Sequence, residues 1–171
     1  ELQAIKDGLI YLGALTETAI RKAMKSLSDR DTELARTVVR DDDEIDRLDT
    51  DLEERCIKIL ALRQPTAIDL RFITTAIKIT GHLERIGDMA VNIAEKAILL
   101  NEEPQLKPYI DLPRMTDLVE GMIKDSLDSF IRNDMQMAEK VRQTEQIVDD
   151  LNEQIFRELL TFMMEDSKSI H

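Results

Sequence analysis

Apolar residues recur along this chain in steps of three and four, the spacing that places them on one face of an α-helix. Short polar or proline-containing segments interrupt the pattern at four places. Asp31 and Asp134 follow two interruptions and are suited to cap a helix N-terminus, and Pro65 disfavours helix at the residue before it. The pattern therefore predicts an all-α fold with five helices. They span 2–27, 32–62, 67–100, 113–131 and 135–165.

The third predicted helix carries the most regular apolar stripe. Its members alternate in steps of four and three, so they line one side of the helix. We expect this stripe to form the seam that packs against the other helices. Its members are Phe72, Ala76, Ile79, Leu83, Ile86, Ala90, Ile93, Ala97 and Leu100.

The chain contains an internal repeat, which is seen when residues 12–68 are aligned with the segment that lies 103 positions later. Asp31 then falls on Asp134, and the apolar classes of the two segments line up. The repeat predicts two tandem units of three helices each, the second lacking its last helix. Their bounds are 1–100 for the first repeat, 101–112 for a linker and 113–171 for the second repeat.

Several large apolar residues near the end of the second repeat would lack the cover of a third helix. Such a face favours a partner, a homodimer or domain-swapped self-association. Because the chain begins at Glu1 and ends where that helix would start, we also expect residues beyond both ends. The apolar residues are Phe156, Leu159, Leu160, Phe162 and Met163.

Composition narrows the classes of function. The formal charge of −12 argues against a nucleic-acid partner, which needs clustered lysine and arginine. No apolar run approaches the roughly 18–20 residues of a membrane span. The single cysteine, Cys56, lies in an apolar row of a predicted helix, so we expect it to be a small buried residue. We find no phosphate-binding loop and no nucleophile–base pair, so nothing supports an enzyme.

Two pairs of acids lie at matching positions on the second and third predicted helices. A short turn near Gln64 makes these helices antiparallel neighbours. Asp46 lies 18 residues before Gln64 and Glu84 lies 20 after it; Asp42 lies 22 before and Asp88 lies 24 after. At about 1.5 Å of rise per residue, the two pairs reach nearly the same heights and face one groove.

Four carboxylates in one groove would repel unless water, protons or cations neutralise them. Oxygen donors suit hard or borderline cations, and Gly81 and Gly87 would leave room for ions. A plain solvated acidic face is the alternative, and spacing does not decide between the two. In the second repeat, Glu145 and Asp149 match the first pair, but the facing pair is missing.

The segment from Leu60 to Ala97 resembles the signature region of the PhoU family of phosphate-signalling regulators. It contains Gln-Pro-x-Ala-x-Asp-Leu-Arg from Gln64, Leu-Glu-Arg-Ile-Gly-Asp from Leu83, and Asn-Ile-Ala-Glu from Asn92. The acidic run around Asp42 matches the family's first acidic motif. The likeness spans essentially the whole chain, and it implies a fold of two three-helix bundles related by pseudo-twofold symmetry.

This resemblance implies metal clusters, reported with iron or zinc, that are bound by acidic pairs; manganese or magnesium would also suit such ligands. The implied ligands are Asp42, Asp46, Glu84, Asp88, Glu145 and Asp149. It also implies an adaptor that represses the phosphate-starvation response. Its partners would be the ATPase subunit of the phosphate ABC transporter and a membrane sensor histidine kinase.

The resemblance further implies a cytoplasmic protein that reaches the membrane through these partners, without inserting into it. The alternative is a helical scaffold whose acids never bind metal. A ferritin-like metal oxidase is disfavoured, because no glutamate precedes His82 or His171 by three residues.

Overall fold

Five long helices make up nearly all of the computed structural model, which describes residues 1–105 and 107–165. The described residues contain no strand, which confirms the all-α prediction, and each helix bound lies within two residues of its predicted position. The helices are α1 (Leu2–Ser28), α2 (Thr32–Arg63), α3 (Ala67–Leu100), α4 (Asp111–Arg132) and α5 (Met135–Glu165).

Both predicted aspartate caps are confirmed. The Asp31 carboxylate accepts a hydrogen bond from the backbone N–H of Leu34 at 2.9 Å and so caps α2. The Asp134 carboxylate accepts from the backbone N–H groups of Gln136 and Met137 at 2.9 and 3.0 Å, at the start of α5. Each bond satisfies a donor that has no partner inside its own helix.

Helix α4 begins at Asp111, two residues before its predicted start at residue 113. The prediction assigned residues 101–112 to a proline-containing linker and began the helix at residue 113. Proline lacks a backbone N–H, yet the first turn of a helix has no use for that donor. Pro113 therefore fits within the first turn, and the last two residues of the predicted linker are helical.

The chain divides into two compact units, Glu1–Ile98 and Leu99–His171. In the first unit, α1, α2 and α3 share one core. The Thr16 hydroxyl lies within this core, 2.9 Å from the Leu12 carbonyl and 3.5 Å from the Leu83 carbonyl, so it contacts both α1 and α3. The largest buried apolar side chains of the core are Ile5, Leu9, Leu12, Leu52 and Ile73.

The buried face of α3 is rotated from the predicted stripe. Ala76, Leu83, Ala90 and Ala97 are buried as predicted, but Leu100 is exposed and the other predicted members are only half-buried. Small residues dominate the centre of the face, and they let α3 approach its neighbours closely; the large isoleucines cover its flanks. The unpredicted members are Ile73, Thr80, Gly87 and Ala94.

The second unit pairs α4 with α5 around a thin core whose buried apolar residues are Ile123, Leu127 and Leu151. Lys140 binds Asp125 across the two helices at 2.7 Å. Lys107, in the connection before α4, binds Glu158 of α5 and lies 5.9 Å from the ring centre of Phe162. These contacts join the connecting segment to α5.

The apolar end of α5 is partly uncovered. Phe156, Leu160 and Phe162 are exposed, whereas Leu159 and Met163 are half-buried. Residues 166–171 of the predicted second repeat, and residue 106 of the predicted linker, lie outside the described residues. Among the helices that are described, none is long and apolar enough to cross a membrane.

Gly8 offers a direct test of close packing between α1 and α2. A Cβ atom at Gly8 would lie 2.3 Å from Cδ2 of Leu52, which is fully buried. Gly8→Ala should therefore lower the free energy of unfolding by about 1–2 kcal/mol, because the strain exceeds the gain of about 1 kcal/mol in helix propensity. Chemical denaturation followed by circular dichroism measures this change.

Gly81→Ala is the matched control within the same unit. A Cβ atom there would meet nothing within 4 Å. This variant should be more stable than the parent by about 0.5–1 kcal/mol, since only the helix propensity changes. Equal stability of the two alanine variants would contradict the packing described at Gly8.

Candidate metal centre

The four predicted carboxylates of the first unit lie on neighbouring helices, as their heights on the hairpin predicted. Asp42 and Glu84 are half-buried, while Asp46 and Asp88 are exposed. Asp42 and Asp46 project from α2, and Glu84 and Asp88 from α3. The two members of each pair are four positions apart in sequence, which places them on one side of their helix.

Gly87 is the point at which α2 and α3 approach each other. A Cβ atom at Gly87 would lie 3.2 Å from two side-chain atoms of Ile45 and 3.3 Å from Oδ1 of Asp42. Gly87 is buried, and side chains of α2 already occupy the space beside it. The prediction that Gly87 leaves room for ions is therefore wrong. Its role is to admit Ile45 and Asp42 of α2 against the backbone of α3. Open space is found instead at Gly81, one and a half turns earlier.

Burial is the largest cause of a shift that, together with the negative charges of Asp46, Asp88 and Asp43, raises the pKa of Asp42 from 3.8 to about 6. Asp46 belongs to the same helix as Asp42, but Asp88 belongs to α3. The shift of this pKa therefore reports that acids of both helices act on one carboxyl group.

The pKa of Glu84 is raised in the same way. Burial is the largest cause, followed by the charges of Asp88, Asp46, Asp49 and Asp42. All but Asp88 lie on α2. The four predicted carboxylates thus share one electrostatic site across the α2–α3 groove.

Asp49 is a fifth member that the sequence analysis missed. It is half-buried and lies three residues after Asp46, so it continues the same face of α2 by one turn. Its charge acts on Glu84. In the sequence, the one feature that pointed to Asp49 was its position in the acidic run around Asp42. That run contains too many carboxylates for spacing alone to identify which of them lie in the groove.

No lysine or arginine of the described residues forms an ion pair with these five carboxylates, which we call the acidic groove: Asp42, Asp46, Asp49, Glu84 and Asp88. Nearby cations engage other groups. Lys22 binds Asp41 at 3.3 Å, and Nε of Arg47 donates to the backbone carbonyl of Asp43 at 2.8 Å. The groove therefore concentrates negative charge that side chains leave uncompensated.

The donor set has the chemistry of a site for hard or borderline cations, since it consists of carboxylate oxygens alone. In the described part of the chain, however, no three His, Cys, Asp or Glu side chains close around a single ion. The groove thus gathers the donors on one face without arranging them as a coordination sphere. Rotation of exposed carboxylates such as Asp46 and Asp88 among their rotamers would change their separations.

The predicted ligands of the second unit are less enclosed. Glu145 and Asp149 both lie exposed on α5. Within residues 107–165, no helix follows α5 in the way that α3 follows α2. The pair formed by Glu84 and Asp88 on α3 therefore has no counterpart among these residues.

Comparison with known proteins places the whole chain in one group of relatives. The family described as "PhoU domain" matches residues 9–97 and 112–170. A phosphate-specific transport system accessory protein PhoU homolog of Aquifex aeolicus is 46% identical over 99% of this chain and 77% of its own length. Its counterpart in Pseudomonas putida is 39% identical over 99% of this chain and 67% of its own length.

Two crystal structures have the same fold. PhoU from Pseudomonas aeruginosa superposes with a TM-score of 0.93 at 38% identity, covering 99% of this chain and 81% of its own. The phosphate transport system regulatory protein PhoU from Streptococcus pneumoniae superposes with a TM-score of 0.88 at 26% identity, over 97% and 78% of the two chains. These likenesses extend through both units.

The crowding of charge in the groove predicts a pH-dependent stability. Because the folded protein raises the pKa of Asp42 from 3.8 to about 6, ionisation of Asp42 is harder in the folded state than in the unfolded state. The metal-free protein should therefore lose stability as the pH rises from about 4 to about 6, and this loss should persist above that range.

Asp42→Asn should remove this loss. In chelator-treated protein near pH 7.5, the variant should unfold with a free energy about 1 kcal/mol higher than the parent, a value reduced for screening by water at a half-exposed site. Near pH 4 the difference should vanish. Glu54→Gln, an exposed change on the same helix, is the control and should show no such pH dependence. A gain that is equal at both pH values would contradict the proposed crowding.

Proposed function

Because the chain belongs to the PhoU family, we propose that it is a metal-binding, non-enzymatic regulator of phosphate uptake and of the phosphate-starvation response. The family consists of accessory and regulatory proteins rather than enzymes. Its relatives are accessory proteins of phosphate-specific transport systems, so this chain acts with the components of such a system. The finer proposals are metal binding and an adaptor role.

The acidic groove is the observation that supports metal binding. Five carboxylates share one face of the α2–α3 hairpin, and the charges of one helix raise the pKa of an acid on the other. Like charges at about 4 Å repel by about 1 kcal/mol in water and by more near protein. A bound cation would offset this repulsion and gain oxygen ligands from both helices.

Each acid of the groove has a distinct place in such a site. Asp42 and Glu84 are the half-buried donors, and Asp42 lies against the helix contact at Gly87; Asp46 and Asp88 are the exposed donors. Asp49 extends the donor set toward Glu84. When bound, a multinuclear iron or zinc cluster, or manganese or magnesium, supplies positive charge to this face. The acids would thereby hold α2 to α3 and convert a repulsive face into a docking face.

Family membership and the shape of the first unit support the proposed adaptor role. Its long helices form a packed body with a charged face and without a catalytic constellation in the described residues. We propose that it links the ATPase subunit of a phosphate ABC transporter to a membrane sensor histidine kinase, from the cytoplasmic side, as a homodimer. Glu145 and Asp149 would contribute to a second metal site in this assembly.

A metal-free scaffold is the second candidate, and the absence of a closed coordination sphere among the described side chains favours it. In that case the groove would stay solvated, and the protein would act through its surfaces alone. Metal analysis separates the two candidates.

Elemental analysis tests the metal site. Protein purified without chelator should carry iron, zinc or another divalent metal in at least stoichiometric amount, as measured by plasma mass spectrometry. Glu84→Ala combined with Asp88→Ala should remove most of the metal of the first unit, because it deletes every donor from α3. Adding metal should raise the melting temperature of the parent and leave that of the variant unchanged.

Glu53→Ala combined with Glu54→Ala is the matched control, since it removes two exposed acids of α2 outside the groove. Its metal content should equal that of the parent. A metal content that neither double variant changes would leave the scaffold as the function of this face.

A second experiment tests regulation. Deleting the gene from its host should leave phosphate-starvation genes expressed at high phosphate, and the parent gene should restore their repression. The Glu84→Ala, Asp88→Ala gene should fail to restore repression if the metal face is required. Repression that persists without the gene would contradict the regulatory role itself.

A further inference from the structure

The turn between α2 and α3 presents an exposed apolar surface. Leu62 at the end of α2 is 69% exposed, Ile68 at the start of α3 is 80% exposed, and Leu70 is 43% exposed. Single exposed apolar residues are ordinary, but three large aliphatic side chains around one turn are a cluster that binding partners use.

Basic residues surround these side chains. The segment 55–72 contains four basic residues and one acidic residue, in a chain whose net charge is −12. Lys58 and Arg71 are exposed and lie 6 residues before and 7 residues after Gln64, so they reach nearly the same height on the two antiparallel helices. Because Arg55 and Arg63 are paired with Asp51 and Glu1, Lys58 and Arg71 supply the positive charge of this apolar turn in an otherwise acidic chain.

The turn is also held in a defined conformation. Gln64 adopts a left-handed backbone with φ of 44°, which ends α2. The backbone N–H of Leu70 donates to the Thr66 carbonyl at 2.7 Å, and the Thr66 hydroxyl donates to the Asp69 carboxylate at 3.4 Å. A surface that is ordered before binding loses less entropy when it docks.

We propose that this surface, the hairpin tip formed by Lys58, Leu62, Ile68, Leu70 and Arg71, docks into an apolar groove rimmed by carboxylates on a partner protein. The inference deepens the proposed adaptor function and rests on it, because it assigns the surface through which the adaptor contacts a transport or signalling component. Charge complementarity identifies the occupant: basic side chains flank the aliphatic ones, so acids must flank the receiving groove.

An anionic membrane fits this surface less well. Recognition of anionic lipids uses clusters of about 4–8 lysines or arginines. Two of the four cations near the turn are already engaged, since Arg55 binds Asp51 at 2.6 Å and Arg63 binds Glu1 at 2.9 Å. Residues 55–71 contain no tyrosine or tryptophan, the side chains that favour the membrane interface.

A second copy of this chain also fits less well. The tip of one copy would have to dock onto the acidic face of another, which is a contact between two different surfaces. Such heterologous contacts extend into filaments unless the rotation closes a ring. A protein partner with its own acidic groove needs no such geometry.

Binding measurements with two purified probes test the proposal: the transporter ATPase subunit and the cytoplasmic part of the sensor kinase, both from the host genome. Leu62→Ser combined with Ile68→Ser should weaken binding to at least one probe by about tenfold or more. Lys58→Glu combined with Arg71→Glu should weaken it similarly, because acids would then face acids. Circular dichroism should show unchanged helix content.

Ile10→Ser combined with Val39→Ser is the control, since it removes two exposed aliphatic residues of the same unit away from the turn. It should bind within about twofold of the parent. Should the serine variant lose helix content, the charge-reversed variant alone decides the question.

Three results would overturn the proposal, each in a recognisable way. If the parent binds neither probe, the adaptor function fails and the hairpin tip fails with it. If the parent binds and both tip variants bind equally well, only the hairpin tip is wrong. If anionic phospholipid vesicles bind the parent through these residues while the protein probes do not, or if the chain polymerises through them, the occupant is a membrane or a second copy instead.

Discussion

The close approach of α2 and α3 at Gly87 is the contact on which the candidate site depends. The absence of a side chain at this position lets Ile45 fill the gap and brings Asp42 against the backbone of α3. Small residues at other buried positions of α3, including Ala90 and Ala94, maintain the same close approach along the helix. Larger residues there would separate the helices and with them the acids.

At this contact, the stabilisation from buried apolar side chains is opposed by repulsion between carboxylates. Each buried leucine or isoleucine contributes about 1.5–3 kcal/mol, and the first unit buries several of them fully. The acidic groove opposes this stabilisation by bringing five carboxylates together without a basic partner among the described residues. Burial first, and then the neighbouring negative charges, raise the pKa values of Asp42 and Glu84, so both factors disfavour ionised acids in the groove. A strong core on one side of the hairpin therefore tolerates an unfavourable charge distribution on the other.

The described residues include three helices of the first repeat and two helices of the second. In the first, α3 supplies both the small-residue seam and the second pair of acids. In the second, the described residues provide two helices, and the acids at the equivalent positions, Glu145 and Asp149, lie exposed. Exposed aromatic and aliphatic residues near the end of α5 show the same difference in cover. Pairing acids across a groove thus requires the third helix of a repeat.

Acidic residues and basic or apolar residues occupy different parts of the α2–α3 hairpin of the first unit. Acids occupy the middle of the α2–α3 hairpin, whereas basic and apolar residues occupy its turn. Asp46 and Arg63 lie 17 residues apart on α2, which corresponds to about 25 Å along the helix. This distance exceeds the Debye length of about 8–10 Å at physiological ionic strength. The two ends can therefore present independent surfaces to different ligands.

Periodicity and capping chemistry in the sequence determined the helices, because these are local properties. Asp31 and Asp134 marked helix starts, and counting from Gln64 placed Asp42 and Asp46 opposite Glu84 and Asp88. The tertiary structure alone decided which residues of α3 face the core. A broad apolar stripe does not distinguish its centre from its flanks, and the choice depends on how closely a neighbouring helix fits. For the same reason, the contact made by Gly87 and the participation of Asp49 emerged only from the packed helices.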